Sequence, residues 1–168
     1  KKINVDIIRM ARKCVGKGRY LRRASIKDAP AVFNCASFPK WLYSQIGIWL
    51  PKFTVQQREM GESVGIDAIQ AGDLLFFKGN KYNFIDNASD GVGHVAIATS
   101  EGSIIHCIYR KIGKGVFEHS VSSFVNNENF RGARRIIPDF RKIITLITPS
   151  DMEVETSDDI KWIILQNL

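Results

Sequence analysis

The sequence predicts an α+β fold, with helices in the first part of the chain and an antiparallel β-sheet in the second. Two observations support this class. Apolar residues recur at helical spacing near the N-terminus, whereas from about residue 70 short apolar runs alternate with Gly, Asn, Ser and Asp. Helices that precede strands, rather than alternate with them, are typical of an α+β arrangement. A length of 168 residues fits one domain with a substantial core.

Two helices are predicted before the sheet. The first covers residues 6–15, where apolar residues recur at helical spacing and Gly16 ends the run. The second includes residues 41–46 and ends at Gly47, with Pro51 shortly beyond it. The segment that joins them is rich in charge and is predicted to be a loop.

The start of the second helix has two interpretations. Asn34 is a favourable N-cap residue, and a start there places Cys35 in the first turn, beside the positive end of the helix dipole. The unpaired backbone N–H groups of that turn would also suit an oxyanion. Pro39 opposes this start, because it cannot donate a hydrogen bond to the Cys35 carbonyl. A start at Ser37 accommodates Pro39 but leaves Cys35 just outside the helix.

Five strands are predicted in the second part of the chain. They cover residues 74–77, 94–99, 103–108, 115–119 and 131–137. The polar segment 79–93 is too long for a hairpin turn and is predicted to be a mobile loop that leads into the second strand. In the tail, residues 142–147 are predicted to form a further strand. The acidic segment from residue 156 predicts a final helix, for which a strand over residues 162–165 is the alternative.

The composition limits the function classes. A net charge of +7 favours an acidic partner such as a wall polymer, a membrane surface or nucleic acid. The basic residues are nevertheless scattered in short clusters, which is typical of solvated surface, and recognised nucleic-acid motifs are absent. No stretch approaches the roughly 18 consecutive apolar residues of a membrane span, and the first residues are not followed by the apolar core of a signal peptide. The chain is expected to be a mature protein or an excised domain.

The cysteines predict chemistry at one position. Cys14, Cys35 and Cys107 cannot all pair with one another, and their spacing matches no zinc-binding pattern, so neither a disulfide framework nor a metal site is indicated and at least one thiol is free. We also expect no cofactor. Cys14 and Cys107 lie in apolar segments typical of inert core. Cys35 differs because His94 and His106 follow it at strand-like positions. A thiol, a base and a residue that orients the base are the components of nucleophilic catalysis by cysteine.

The two histidines can cooperate only if the hairpin between them has a suitable register. A two-residue turn would need Glu101 at positive φ, which is unfavourable, whereas a three-residue turn with Gly102 in the left-handed region is common. In the three-residue register His106 lies opposite Ala96, on the same face of the sheet as His94. A slip of one residue would place the two rings on opposite faces.

Several segments form an ordered set of motifs between residues 6 and 135. They are Phe33-Asn34-Cys35-Ala36-Ser37-Phe38, Ala71-Gly72-Asp73-Leu74-Leu75-Phe76-Phe77, Gly93-His94-Val95-Ala96-Ile97, Ile105-His106-Cys107 and Phe130-Arg131-Gly132-Ala133-Arg134-Arg135. In this order and spacing the chain resembles the NlpC-type cell-wall peptidases, which are papain-like cysteine hydrolases. The resemblance implies a papain-like catalytic domain over residues 1–137, with the nucleophile at a helix N-terminus, and a C-terminal extension over residues 138–168 that packs on or follows it.

The resemblance also implies roles for individual residues. It makes Cys35 the nucleophile, His94 the general base and then the acid, and His106 the residue that orients His94. Tyr20 corresponds to an aromatic hydroxyl beside the nucleophile. Ser37 corresponds to a small residue on the substrate side.

Two positions depart from the family's pattern. The acidic residue that precedes the family's Cys, and that can pair with a free substrate amine, is Asn34 here, and the Ser that follows the Cys is Ala36. Asn34 is still a predicted substrate-binding residue, but an amide lacks the charge-assisted contact, so we do not expect specificity for a free N-terminal L-alanine. His119 lies in no segment that matches a motif of the family, and it is expected to be structural or exposed.

These features predict a cysteine peptidase that hydrolyses an amide bond in peptidoglycan-type stem peptides through an acyl-enzyme. The resemblance implies that the D-glutamyl to diamino-acid bond is the target. The alternatives are acyl transfer or deamidation on the same scaffold, and a non-catalytic module that binds wall polymers. The expected partners are a peptidoglycan-derived peptide and acidic wall polymers, with no nucleic acid and no transmembrane segment. The expected location is the cell envelope or outside the cell.

Overall fold

A computed structural model of the chain describes residues 6–79, 90–110, 113–125, 128–137, 145–148 and 150–166. Helices precede an antiparallel sheet in these residues, so the predicted α+β class is confirmed. The predicted loop over residues 79–93 lies outside the described residues except at its two ends.

Short and medium helices occur at both ends of the described chain. They are α1 (Ile7–Cys14), α2 (Ser37–Ser44), α3 (Thr54–Gln57), α4 (Ser122–Val125) and α5 (Ser157–Gln166), with 3-10 helices at Ile26–Asp28 and Ile66–Ala68. Asp6 caps α1, because its carboxylate accepts hydrogen bonds from the N–H groups of Ile8 and Arg9 at 3.0 and 3.1 Å. None of the described helices combines the length and the apolar character needed to cross a bilayer.

The strands belong to one small and one large sheet. They are β1 (Arg19–Tyr20), β2 (Val32–Phe33), β3 (Glu62–Val64), β4 (Leu74–Lys78), β5 (Val92–Ala98), β6 (Ser103–Arg110), β7 (Gly113–Ser120) and β8 (Phe130–Arg135). β1 and β2 pair in parallel. Among the described residues, the other six strands form one antiparallel sheet in the order β3-β8-β4-β5-β6-β7. β4 to β8 are the five strands that the sequence predicts.

Helices α1 and α2 cover one face of the large sheet. Ala11 of α1 and Leu42 of α2 are fully buried against Phe76, Ile97 and Ile105 of the sheet. Burial of such apolar side chains contributes roughly 1.5–3 kcal/mol each. This core holds the segment between β2 and α2, which carries Cys35, against the sheet.

A smaller cluster covers the opposite face of the sheet. Leu75, Phe77, Ala96 and Ile104 are buried there, and Phe124 of α4 packs against them. Alternate residues of β5 and β6 therefore serve two separate cores, as expected for a strand that is covered on both faces.

The C-terminal segment contacts the region that follows α2. The indole N–H of Trp49 donates to the Val154 carbonyl at 3.1 Å, and the N–H of Lys52 donates to the Glu155 carbonyl at 2.7 Å. Helix α5 lies where the sequence predicts the final helix, and its Ile163 is buried. The division of the chain at residues 137 and 138 stays a prediction.

The strand predicted over residues 142–147 is wrong where the structure describes it. Residues 145–147 are not in a strand, and residues 142–144 lie outside the described residues. Ile147 is 92% exposed. An apolar run forms a strand only where a neighbouring strand pairs with it and buries one face, and residues 145–147 lack that burial.

A buried carboxylate joins the start of β4 to the end of β8. Asp73 is 2% exposed and accepts hydrogen bonds from Nε and Nη2 of Arg135 at 2.9 and 2.8 Å. It also accepts a hydrogen bond from the N–H of Gln70 at 2.7 Å. These three bonds hold the turn before β4 in place.

Replacing Asp73 by Ala is expected to lower the free energy of unfolding by about 2 kcal/mol, because charge-assisted hydrogen bonds are lost and Arg135 keeps only its bond to the Ala68 carbonyl. Urea denaturation followed by circular dichroism measures the change. The matched control is Asp67→Ala, which removes an exposed carboxylate and is expected to have an effect within about 0.5 kcal/mol. Equal effects of the two substitutions would contradict this role of Asp73.

Candidate active site

Cys35 lies in the turn between β2 and α2. The regular helix begins at Ser37, as the second interpretation predicts, whereas the Asn34 carbonyl already accepts a hydrogen bond from the N–H of Phe38 at 3.3 Å, as the first interpretation predicts for an N-cap. Pro39 explains this, because it has no N–H to donate to the Cys35 carbonyl and the helical hydrogen bond at that position cannot form. The thiol therefore lies immediately before the N-terminus of α2.

Asn34 holds this turn through every polar atom of its side chain. Its Oδ1 accepts hydrogen bonds from the N–H groups of Ala36 and Ser37 at 3.0 and 2.8 Å. Its Nδ2 donates to the carbonyls of Arg22 and Ala24 at 3.2 and 2.9 Å. In return, the Ser37 hydroxyl accepts a hydrogen bond from the Asn34 N–H at 2.9 Å, which is the reciprocal arrangement of a capping box. An amide side chain has two donor and two acceptor sites, so Asn34 is saturated.

These bonds change two expectations for the turn. The N–H groups of Ala36 and Ser37 donate to Asn34, so they are not the oxyanion donors that an open first turn would supply. Ser37 is 5% exposed and its hydroxyl is bonded to Asn34, so the structure does not bring Ser37 to the surface of the cleft described below. Asn34 does border that cleft.

A β-bulge occurs in β5 at the point that faces the thiol. Phe77 of β4 pairs with His94, and the register shifts at the next residue of β4, so that Gly93 is inserted on β5. The Sγ atom of Cys35 lies 3.8 Å from the carbonyl oxygen of Gly93. Bulges bend a strand and redirect its side chains, and they are common beside active sites. The bulge thus places the thiol against the backbone that carries His94.

The imidazoles of His94 and His106 are in contact. Nε2 of His94 lies 2.9 Å from Nδ1 of His106. His106 is fully buried, where a ring nitrogen needs a hydrogen-bond partner. Because Nε2 of His94 is engaged with His106, Nδ1 is the atom through which His94 would exchange a proton with the thiol.

The contact follows from the hairpin register that the sequence predicts. Ala98 pairs with Ile104, and this register continues to place His106 opposite Ala96. The turn has three residues, and Gly102 adopts a φ of 71°. Side chains twelve positions apart in the sequence therefore meet on one face of the sheet.

His119 extends the line of imidazoles. Its Nδ1 lies 2.9 Å from Nε2 of His106, so all three histidines of the chain form one line. The sequence predicts a structural or exposed residue here, and that expectation missed the contact. In the β6–β7 hairpin His119 pairs with Ile104, two positions from His106 and on the same face. The signal that could have found it is this register, which a prediction of isolated strands does not contain.

Tyr20 borders the thiol from β1. Burial raises the pKa of its phenol, and a charge on Cys35 raises that pKa further. Its ring packs against Tyr109 with the centroids 5.5 Å apart. A phenol that stays protonated beside a thiolate is a hydrogen-bond donor to the sulfur or to a substrate.

A cleft of about 430 Å³ opens at the thiol. Its lining includes Tyr20 and Cys35 together with three cationic residues, Arg22, Arg23 and Lys52. In the part of the chain that the structure describes, no Asp or Glu lines it. Lys52 is itself paired with the carboxylate of Glu155 in the C-terminal segment at 2.5 Å, which reduces the positive charge that it offers to the cleft.

The other two thiols are unsuited to catalysis. Cys14 and Cys107 are buried, and burial raises the pKa of both thiols, which keeps them protonated. Cys35 is the partly exposed cysteine. Within the described ranges, no group of three or more His, Cys, Asp or Glu side chains is arranged to hold a metal ion.

Comparison with known proteins shows the family of the chain. A family model described as the NlpC/P60 family matches residues 20–135. That range begins at Tyr20, ends with β8 and contains Cys35 and the three histidines. The C-terminal segment with α5 lies outside it.

Individual relatives support the same comparison. The gamma-D-glutamyl-L-lysine dipeptidyl-peptidase of Bacillus cereus is 28% identical over 106 residues, which are 63% of this chain and 29% of that protein. The chain thus spans less than a third of that relative's length. The NlpC/p60 domain of the peptidoglycan hydrolase SagA is 28% identical with a TM-score of 0.58, over 77% of this chain and 95% of that chain. RipD of Mycobacterium tuberculosis, described as a non-catalytic NlpC/p60 domain protein adapted to peptidoglycan binding, has a TM-score of 0.57 over 78% of this chain and 95% of that chain; at 16% identity it shows the fold alone.

Proposed function

The chain belongs to the NlpC/P60 family, and on this basis we propose that it is a cysteine peptidase that hydrolyses an amide bond in peptidoglycan-type stem peptides. The proposal is supported by the position of the Cys35 thiol in the cleft, 3.8 Å from the carbonyl oxygen of Gly93, the residue that precedes His94 in β5, and by the contact between His94 and His106. The names of the peptidase and hydrolase relatives support the substrate class. The D-glutamyl to diamino-acid bond is the proposed target, by analogy with the Bacillus cereus relative.

The first half of the reaction forms an acyl-enzyme. The Cys35 thiol transfers its proton to Nδ1 of His94, which produces a thiolate and an imidazolium, and the thiolate is the nucleophilic form of cysteine. The sulfur attacks the carbonyl carbon of the scissile amide. The imidazolium then gives its proton to the leaving amine, which departs while the acyl group stays on sulfur as a thioester.

The second half restores the enzyme. Neutral His94 takes a proton from a water molecule as the water oxygen attacks the thioester carbonyl. The tetrahedral intermediate collapses, the new carboxylic acid leaves, and the sulfur receives the proton that His94 holds. One water molecule is consumed for each amide bond cleaved.

His106 stabilises the charged form of His94. Its Nδ1 accepts a hydrogen bond from the Nε2–H of the imidazolium across 2.9 Å. Charge-assisted hydrogen bonds are roughly twice as strong as neutral ones, and full burial of His106 protects this bond from water. The bond also keeps the ring of His94 oriented through both proton transfers.

The cleft favours a stem peptide without a free amino terminus. Both acceptor sites of Asn34 are taken by backbone N–H groups, so this side chain offers nothing to an ammonium group. The described lining of the cleft also lacks a carboxylate, whereas Arg22 and Arg23 supply positive charge. A peptide whose amine is acylated, and which carries a carboxylate near the scissile bond, fits this environment.

A non-catalytic module that binds acidic wall polymers is the second candidate. The net charge of +7 and the cationic lining of the cleft favour it. Acyl transfer and deamidation would use the same thioester and differ in the attacking or leaving amine. In each case the proposed site of action is the cell envelope or its exterior, where peptidoglycan lies.

Replacing Cys35 by Ala is expected to abolish cleavage of defined muropeptides, because the thioester cannot form without the sulfur. Mass spectrometry of the fragments measures the reaction. Cys14→Ala is the matched control: it removes a buried thiol outside the cleft and is expected to retain cleavage. The peptidase proposal is contradicted if the wild type and Cys35→Ala leave the same fragments. Salt-sensitive polymer binding without cleavage would support the binding module, and amine adducts would indicate acyl transfer.

Replacing Asn34 by Asp is expected to raise the preference for a free-amine stem peptide over its N-acetylated form about tenfold. The oxygen that replaces Nδ2 cannot donate to the carbonyls of Arg22 and Ala24, so it is left to accept a hydrogen bond from an ammonium group. The ratio of kcat/KM for the two peptides measures this. Asn129→Asp adds the same charge at an exposed residue outside the cleft and is expected to leave the ratio unchanged. A wild-type preference for the free amine, or the same ratio in both variants, would contradict this account of specificity.

A further inference from the structure

We propose that His119 is a positioning residue for the catalytic base. It fixes the proton of His106 on Nε2, and through His106 it stabilises the imidazolium form of His94. This inference rests on the proposed function and adds a residue that the sequence motifs do not contain. It is carried by the contact between Nδ1 of His119 and Nε2 of His106 at 2.9 Å.

His106 is held between two other imidazoles. Its Nδ1 lies 2.9 Å from His94 and its Nε2 lies 2.9 Å from His119, and the residue is fully buried. Both distances are normal for hydrogen bonds between nitrogen atoms. The planes of His106 and His119 are inclined by 81° with the centroids 5.1 Å apart, so the rings meet through their edges and are not stacked.

The direction of the hydrogen bonds in this line is set at the catalytic end. An imidazolium at His94 has protons on both nitrogens, so its Nε2–H donates and Nδ1 of His106 accepts. A neutral imidazole has one donor and one acceptor nitrogen, so His106 holds its proton on Nε2. That N–H donates to Nδ1 of His119, which accepts only if His119 carries its own proton on Nε2.

Loss of His119 would disturb the line in one of two ways. If His106 kept its proton on Nε2, a buried N–H would lose its partner, which is unfavourable. If the proton moved to Nδ1, two donors would face each other between His106 and the imidazolium of His94. Either outcome makes the imidazolium less favourable and lowers the fraction of Cys35 present as thiolate.

Aromatic side chains hold the ring of His119 in place. Phe117 stacks on it with the centroids 6.0 Å apart and the planes inclined by 24°, and Phe124 of α4 lies 5.8 Å away. Phe124 also contacts the ring of His106 at 5.3 Å. Phe124 therefore packs against both imidazoles, and Phe117 packs against that of His119.

The charged groups near His119 belong to other interactions. On β7 the adjacent Glu118 is bonded to Arg12 at 3.2 Å, and Lys114 lies over the ring of Tyr109. Helix α4 contains no titratable side chain. On β6 and β5 the titratable groups that face His119 are His106, which it contacts, and His94 beyond it.

The test measures the rate at which iodoacetamide alkylates Cys35 as a function of pH in the full chain. Cys35→Ala gives the background from the other thiols. Three variants are compared with the wild type. His119→Phe keeps an aromatic ring and removes the acceptor, His119→Asn supplies a carbonyl oxygen close to the position of Nδ1, and Phe117→Leu loosens the packing without removing an acceptor.

His119→Phe is expected to lower the alkylation rate at neutral pH about tenfold. The loss of one buried hydrogen-bond partner makes the imidazolium and thiolate pair less favourable by about the free energy of one hydrogen bond. The pH profile of alkylation is expected to move to higher pH, because a less favourable imidazolium raises the pH at which the Cys35 thiol ionises. His119→Asn is expected to restore most of the rate. Phe117→Leu is expected to stay within about twofold of the wild type, because the hydrogen bonds persist.

An unchanged profile in His119→Phe would overturn the proposal, and so would equal losses in all three variants, which would indicate packing alone. Nitrogen-15 chemical shifts of the wild-type imidazoles provide a test that needs no variant to fold. Protons on Nε2 of His106 and His119 are expected, and a proton on Nδ1 of His119 would overturn the proposal.

These measurements are independent of the peptide substrate. If muropeptides are not cleaved but His119→Phe moves the alkylation profile to higher pH, the proposed peptidase function fails and the positioning role stands. If muropeptides are cleaved and the profile does not change, the positioning role fails and the peptidase function stands.

Discussion

The site depends on the hydrogen bonds that a fully buried His106 makes at both of its nitrogens. A buried imidazole without partners is unfavourable, so the fold has to bring an acceptor or donor to each side of the ring. It does so through two hairpins: the β5–β6 register brings His94, and the β6–β7 register brings His119. A slip of one residue in either hairpin would turn a ring to the opposite face of the sheet. Strand pairing therefore aligns three histidines that are distant in the sequence.

A second constraint acts on the nucleophile. Pro39 prevents a helical hydrogen bond to the Cys35 carbonyl, so α2 begins after the thiol, and Asn34 supplies the capping bonds for the turn. The same bonds use the full capacity of the amide side chain and leave none for a ligand. An acidic residue could make the same two capping bonds and keep a negative charge beside the cleft, but its second oxygen could not donate to the carbonyls of Arg22 and Ala24 as Nδ2 of Asn34 does. In this chain the stability of the turn and the choice of substrate are thus connected through one side chain.

Much of this architecture could be predicted from the sequence, because α1, α5 and strands β4 to β8 have periodic patterns and Gly102 indicates the register of one hairpin. The short elements β1 to β3 and α3 could not, since segments of two to four residues have no periodicity and form through tertiary contacts. In the site, Cys35, His94 and His106 could be identified as candidates from the sequence motifs. The contact of His119 could not, because it depends on how β7 aligns with β6. The saturation of Asn34 could not either, since two of its partners are backbone carbonyls more than nine residues earlier in the chain.

The central claim is that Cys35 forms a thioester with the acyl part of a stem peptide. Rapid-quench intact-mass spectrometry of the wild-type protein, mixed with a defined N-acylated stem peptide and followed by peptide mapping, tests it most directly. The account predicts a transient mass increase equal to the acyl fragment, located on the peptide that contains Cys35, which decays as the product appears. Cleavage with no adduct in samples quenched within the first turnover, or an adduct on a different residue, would contradict it.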